Sequence, residues 1–154
     1  MRDFDAAVEK LGIILPPAPR PVAAYVPFVR YAELVVISGQ LPSRDGKVVY
    51  TGRAPDAVSA PDAQAAARLA AINALAVLKD ACGGTLNAVQ RILRLGVFVQ
   101  SADGFDQQPA VANGASTLME EIFGEAGRHA RAAVGVNALP LHATVEVELW
   151  AACA

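Results

Sequence analysis

From His129 to Trp150 the chain alternates apolar residues with polar or small ones almost without a break. Side chains on a strand alternate between two faces, so this segment reads as two strands joined by a short turn at Leu139–Pro140. In the first strand Arg131, Ala133, Gly135 and Asn137 share one face, and Ala132, Val134, Val136 and Ala138 share the other. In the second, Val145, Val147 and Leu149 oppose Thr144, Glu146 and Glu148. Burying the valine faces turns Arg131, Glu146 and Glu148 together to the far side of the sheet. Such a face is either solvated surface or the wall of a site for a small polar molecule.

The upstream elements show what this sheet packs against. Phe4, Ala7, Val8 and Leu11 recur at helical spacing, and Gly12 is a stop. Leu15 to Pro21 carries four prolines and reads as an extended lead-in, because proline fixes φ and lacks a donor. Ala24–Arg30 and Glu33–Gln40 read as adjacent strands with a turn near Tyr31–Ala32. The second holds a β-branched run and closes at Ser38-Gly39-Gln40, where a glycine marks a bulge or a close approach to the backbone. Arg44–Lys47 is a turn before a short strand at Val48–Tyr50.

Ser59, Pro61 and Asp62 open the longest helix, which Gly83–Gly84 ends. Val89–Gln100 is a long strand with Leu93, Leu95, Val97 and Val99 on one face and Arg94 on the other. Asp106–Phe123 is a second helix with a stripe of Val111, Ala115, Leu118 and Ile122, capped by Gly124. Two long helices among these strands predict one α+β domain over residues 1–154, with both helices on one face of a mixed sheet. Residues 1–22 read as a short helix and a proline-rich lead-in.

At 154 residues the chain can bury a substantial core. Its 54% hydrophobic content excludes disorder and points to apolar surface covered in a homo-oligomer. A net charge of -2 without a basic stretch argues against a nucleic-acid surface. No apolar run is long enough to span a membrane. Cys82 and Cys153 are far apart in sequence and read as inert small residues of a reduced, cytoplasmic protein.

No Walker loop, nucleophile elbow or metal-type cluster is present, so no metal site is expected. His129 and His142 read as polar residues at strand ends. Arg131 has two readings: a structural ion pair with Glu146 or Glu148, or a guanidinium fork for a substrate carboxylate. Tyr25 and the backbone of Gly39 are further polar partners in the second reading.

The Ala24-Tyr25-Val26 and Ser38-Gly39-Gln40 segments, with the block from Ala130-Arg131 through Leu139-Pro140 to Val145-Glu146-Val147-Glu148, resemble the YjgF/RidA family. This family is also called reactive intermediate deaminases or endoribonuclease L-PSP proteins. The resemblance spans about residues 23–150. It implies a chorismate-mutase-like fold assembled as a homotrimer with clefts between subunits. It also implies cofactor-free hydrolysis of 2-enamines and 2-imines to 2-keto acids and ammonia. On these motifs Arg131 matches the arginine that holds the substrate carboxylate, and Glu146 the glutamate that positions the attacking water. Gly39, with Ser38 beside it, matches the glycine whose backbone contacts substrate. Tyr25 matches a cleft tyrosine, and Ala133 a position often held by cysteine. An asparagine common on the second helix aligns with Ser116, while Asn113 lies one turn away. Arg128-His129-Ala130 replaces an aromatic-proline lead, and Arg128 competes with Arg131 for the carboxylate role. Two other readings stay open: a non-catalytic or regulatory trimer binding small carboxylates, and an endoribonuclease.

Overall fold

Asp3 caps the first helix, α1 (Phe4–Lys10), by accepting from the amide of Ala6, and Gly12 follows it at φ +69°. The computed structural model describes residues 2–20 and 24–154, so Pro21, where the predicted lead-in ends, lies outside the described residues. Strand β1 (Phe28–Tyr31) turns through Ala32 into β2 (Leu34–Gln40). Ala24–Pro27, predicted as strand, precedes the pairing and is not part of it. The two-residue strands β3 (Ser43–Arg44) and β4 (Lys47–Val48) flank Asp45 and Gly46, both at positive φ. This is the geometry that favours Asp-Gly in a tight hairpin.

Ser59 caps α2 (Ala60–Ala81) as predicted, accepting from the amide of Asp62. Then come β5 (Val89–Gln100), α3 (Gln108–Phe123), β6 (Ala130–Val136) and β7 (Val145–Cys153). The main sheet has the order β1-β2-β7-β5-β6, and α2 and α3 pack on one face of it. Val35, Ile37, Leu95, Val97, Val147 and Leu149 from the sheet, with Leu75, Leu78 and Leu118 from the helices, form a fully buried core. Burying each such side chain contributes about 1.5–3 kcal/mol. The added helix α1 joins this core through Phe4, whose ring meets that of Phe123 edge-on at 4.9 Å.

The predicted closing hairpin does not form. β5 lies between β6 and β7, parallel to the first and antiparallel to the second. The twelve-residue β5 inserts between them, next to the edge, and its crossover through α3 returns β6 alongside it, as a parallel pair requires. Residues 137–144 then bridge to β7, with Leu141 and His142 at positive φ.

The faces differ as well. Pairing puts Arg131 opposite Leu95 and Ala133 opposite Val97, on the helix side, while Val134 lies opposite Phe98 on the uncovered side. At Gly135 the helix side has little room: a Cβ there would meet Gln108, at the start of α3, and Ser101, just after β5. On β7 the alternation holds as predicted, with Val145, Val147 and Leu149 inward and Glu146 and Glu148 on the uncovered face. Arg131 and Glu146 therefore lie on opposite faces of the sheet. Register shifts in β5 also turn Leu93 outward and bring Ile92 into the core.

The two cysteines are not separate inert residues. Cys82, at the end of α2, is bonded to Cys153, at the end of β7. A Cα–Cα distance of 6.1 Å lies within the range a disulfide spans.

Candidate functional site

Arg131 extends from edge strand β6 beneath the exposed side of α3. One of its terminal nitrogens, Nη1, donates to Asn113 Oδ1 at 2.8 Å and to Ser116 Oγ at 3.2 Å. Asn113 and Ser116 lie three residues apart on α3 and so share a helix face, which lets one guanidinium reach both. The asparagine and serine that the sequence presents as alternatives thus serve together.

Among the described residues no carboxylate pairs with Arg131. The two candidates for a structural ion pair are both elsewhere. Glu148 pairs with Arg94 at 2.7 Å on the uncovered face, and Glu146 sits on that same face. Arg128, the predicted competitor, reaches Glu120 at 3.6 Å and Glu125 at 3.7 Å with its guanidinium largely solvated.

His129 belongs to this cluster, a role that sequence reasoning missed. Its Nδ1 lies 2.6 Å from the Gly127 carbonyl and its Nε2 lies 2.9 Å from Ser116 Oγ. Half-burial, and then the nearby Arg131 charge, hold its pKa below the usual 6.5, against the Gly127 hydrogen bond. The only signal in sequence was its place two residues before Arg131 on an alternating strand, which sets both on one side. Asn113, Ser116, Thr117, His129 and Arg131 line a cleft of about 530 Å³, open to solvent. A larger cleft of about 930 Å³ lies between the lead-in and the β3–β4 hairpin, and none of the predicted site residues line it.

The other predicted residues gather on the opposite face. Between Ile37 and Gln40 the β2–β7 register shifts, and Gly39 sits in that irregularity. A Cβ there would collide with the Glu146 carboxylate, so the glycine is the seat of that side chain. This is the close approach that the strand-ending glycine announced. Burial, and then the Glu148 charge, raise the Glu146 pKa above 4.5. Ser38 Oγ donates to the Val26 carbonyl at 2.7 Å, which ties the exposed Tyr25 to this corner. Ala133 faces the helices, partly buried against the core. The predicted residues thus fall into two separate groups: Arg131 and Ser116, with Asn113 and His129, at the sheet edge, and Glu146, Gly39 and Ser38 on the uncovered face, with Tyr25 exposed next to Val26. Among the described residues no group of His, Cys, Asp and Glu is arranged to hold a metal ion.

Residues 6–153 match the family described as "YjgF/chorismate mutase-like, putative endoribonuclease". The chain belongs to the YjgF family. The Trypanosoma cruzi protein TCP17 is 43% identical over 93% of this chain and 89% of its own length. The structure of Atu1372 from Agrobacterium tumefaciens, a protein described as of unknown function, superposes with a TM-score of 0.92 at 42% identity, covering 98% of this chain and 92% of that one. A Shewanella oneidensis structure with the same endoribonuclease description gives a TM-score of 0.93 at 33% identity, covering 98% of this chain and 99% of the other. These likenesses establish the α+β, chorismate-mutase-like architecture. Among the described residues no helix is long and apolar enough to cross a membrane.

Proposed function

We propose that this YjgF-family chain hydrolyses reactive 2-imino and 2-enamino acids to 2-keto acids and ammonia, in clefts formed between copies of a homotrimer. The carrying observation is Arg131: a cation without a carboxylate partner among the described residues, facing a cleft beside a hydroxyl, an amide and an imidazole. A guanidinium in that setting suits a bidentate carboxylate ligand, with Nη2 and Nε uncommitted in its hydrogen bonds.

A second copy is part of this reading because Arg131 and Glu146 face opposite ways. One small ligand reaches both only if the uncovered face of one copy meets the β6 edge of the next. That face has the composition of an interface: Val29, Tyr31, Val36, Phe98, Val134 and Trp150 lie on it, with Arg94 stacked over Trp150 at 5.7 Å and paired to Glu148. An open apolar sheet face of this extent is commonly covered by a partner. In the completed cleft Arg131 binds the carboxylate and Glu146 of the next copy positions water. Tyr25, Ser38, Gly39 and Ala133 shape the walls. An imine carbon is already electrophilic, so orientation and proton transfer supply the catalysis.

The test generates a 2-imino acid with an amino-acid oxidase and follows keto-acid release. Addition of the protein should accelerate release, and Arg131→Ala should abolish the acceleration. No acceleration, together with ligand-dependent thermal stabilisation, would instead mark a binding protein without catalysis.

A further inference from the structure

The Gly127 carbonyl can only accept a hydrogen bond, so the 2.6 Å contact places the His129 proton on Nδ1. The neutral ring then offers a lone pair at Nε2, and Ser116 donates its hydroxyl proton to it across 2.9 Å. Arg131 Nη1 donates into the same Ser116 oxygen at 3.2 Å. The hydroxyl is thus committed as a donor to a base and as an acceptor from a cation. One Oγ lone pair is left for a group entering the cleft. A serine linked to an oriented imidazole is the geometry of an activated hydroxyl. The backbone contact at Gly127 fixes the tautomer, as the third group does in such arrangements.

We propose that Ser116 and His129 form the proton relay of this site, carrying the proton of the attacking water away from a 2-iminium acid held by Arg131. This inference rests on the deaminase reading above and names the base within it. Ser116 is the catalytic residue that meets water, and His129 is a positioning and relay residue acting through it. Water oxygen bonds to the iminium carbon while its proton passes to Ser116 Oγ and the Ser116 proton passes to His129 Nε2. The carbinolamine keeps its C–N bond until the imidazolium returns the proton through Ser116 to nitrogen. The C–N bond then breaks, the carbonyl forms, and the hydroxyl proton leaves with ammonia as ammonium. One water is consumed, and one keto acid and one ammonium ion are produced, without a redox change. Glu146 of the next copy orients the water and is not required to take its proton.

The charged groups around His129 are Arg131 on β6, Arg128 beside it, Glu120 on α3, Glu125 on the following turn, and Arg91 on β5, whose guanidinium donates to the Arg128 carbonyl. Glu120 and Glu125 are engaged by Arg128, so Arg131 is the cation that most directly opposes a proton on the ring.

The test compares wild type, His129→Gln, Ser116→Ala and Ser116→Thr in the imino-acid assay over pH 5 to 9. His129→Gln and Ser116→Ala should lower kcat by about 10²-fold or more with KM nearly unchanged, because Arg131 still holds the carboxylate. Ser116→Thr should restore most of the rate. The acidic limb of the kcat profile should vanish in His129→Gln. A wild type that accelerates hydrolysis, with His129→Gln equally fast and its pH profile unchanged, would overturn the relay alone. A wild type that gives no acceleration would overturn both the relay and the deaminase reading.

Discussion

Gly39 and His129 show how much one residue decides here. Gly39 has no room for a methyl group, because the Glu146 carboxylate occupies the place a Cβ would take. Gly39 is exposed and the atoms a methyl would meet all belong to the flexible Glu146 side chain, so Gly39→Ala should displace Glu146 and lower the imino-acid hydrolase rate while changing a denaturant melt by no more than about 0.5 kcal/mol. His129 leads to a pH prediction. Its folded pKa is lowered below 6.5, chiefly by burial, so the unfolded chain binds more protons between the two values. Stability from the neutral ring is complete above about pH 6.5 and is lost as pH falls towards the folded value. Melting temperatures recorded from pH 7.5 to 5 should fall, and His129→Gln should flatten that slope. Glu146 has the opposite sign: its folded pKa is raised above 4.5, so ionising it costs stability as pH rises through that value. Glu146→Gln should therefore remove that cost while impairing catalysis.

At the scale of elements, the edge strand β6 carries the account. Its helix side is made of Arg131, Ala133 and Gly135, and its uncovered side holds Ala132 and Val134, the latter 45% exposed. Val134→Glu should leave the far-UV spectrum and the core intact but reduce the mass measured by light scattering to that of a single chain. An unchanged mass would contradict the proposed interface on this face. The same strand marks what sequence could and could not show. Helix limits, caps and the alternation of β7 were legible because they rest on local chemistry: Ser59 as a cap, Gly83–Gly84 as a stop, valines at period two. The pairing of β6 was not legible, because alternation does not name a strand's partner and a crossover through α3 leaves no local mark. The face of β6 was misjudged for a related reason. The rule that valines face the helices fails on β6, where the helix side holds Arg131, Ala133 and Gly135 and a Cβ on Gly135 would already meet Gln108 and Ser101. Asn113 and Ser116 were both visible as candidates, whereas the His129–Ser116 contact needed the turn at Gly127 to bring them together.

On the scale of the whole molecule, two links tie distant parts of the chain. The Cys82–Cys153 bond closes a span of 71 residues between the end of α2 and the last strand. On chain-entropy grounds such a loop contributes up to about 4 kcal/mol, so reduction, or Cys82→Ser with Cys153→Ser, should lower the melting temperature by several degrees. An unchanged melt on reduction would show that the bond is not a determinant of stability. The second link is between copies. Each chain offers Arg131 on one side of its sheet and Glu146 on the other, and the proposed site joins the first from one copy to the second from its neighbour. Mixing Arg131→Ala and Glu146→Ala chains, co-refolded from denaturant, measures this directly. Each variant alone should be inactive in the imino-acid assay. The mixture should recover about a quarter of the wild-type rate, since each site draws one residue from each of two randomly assorted copies. A mixture as inactive as its parents would show that no site is shared between copies, and would contradict the account at its centre.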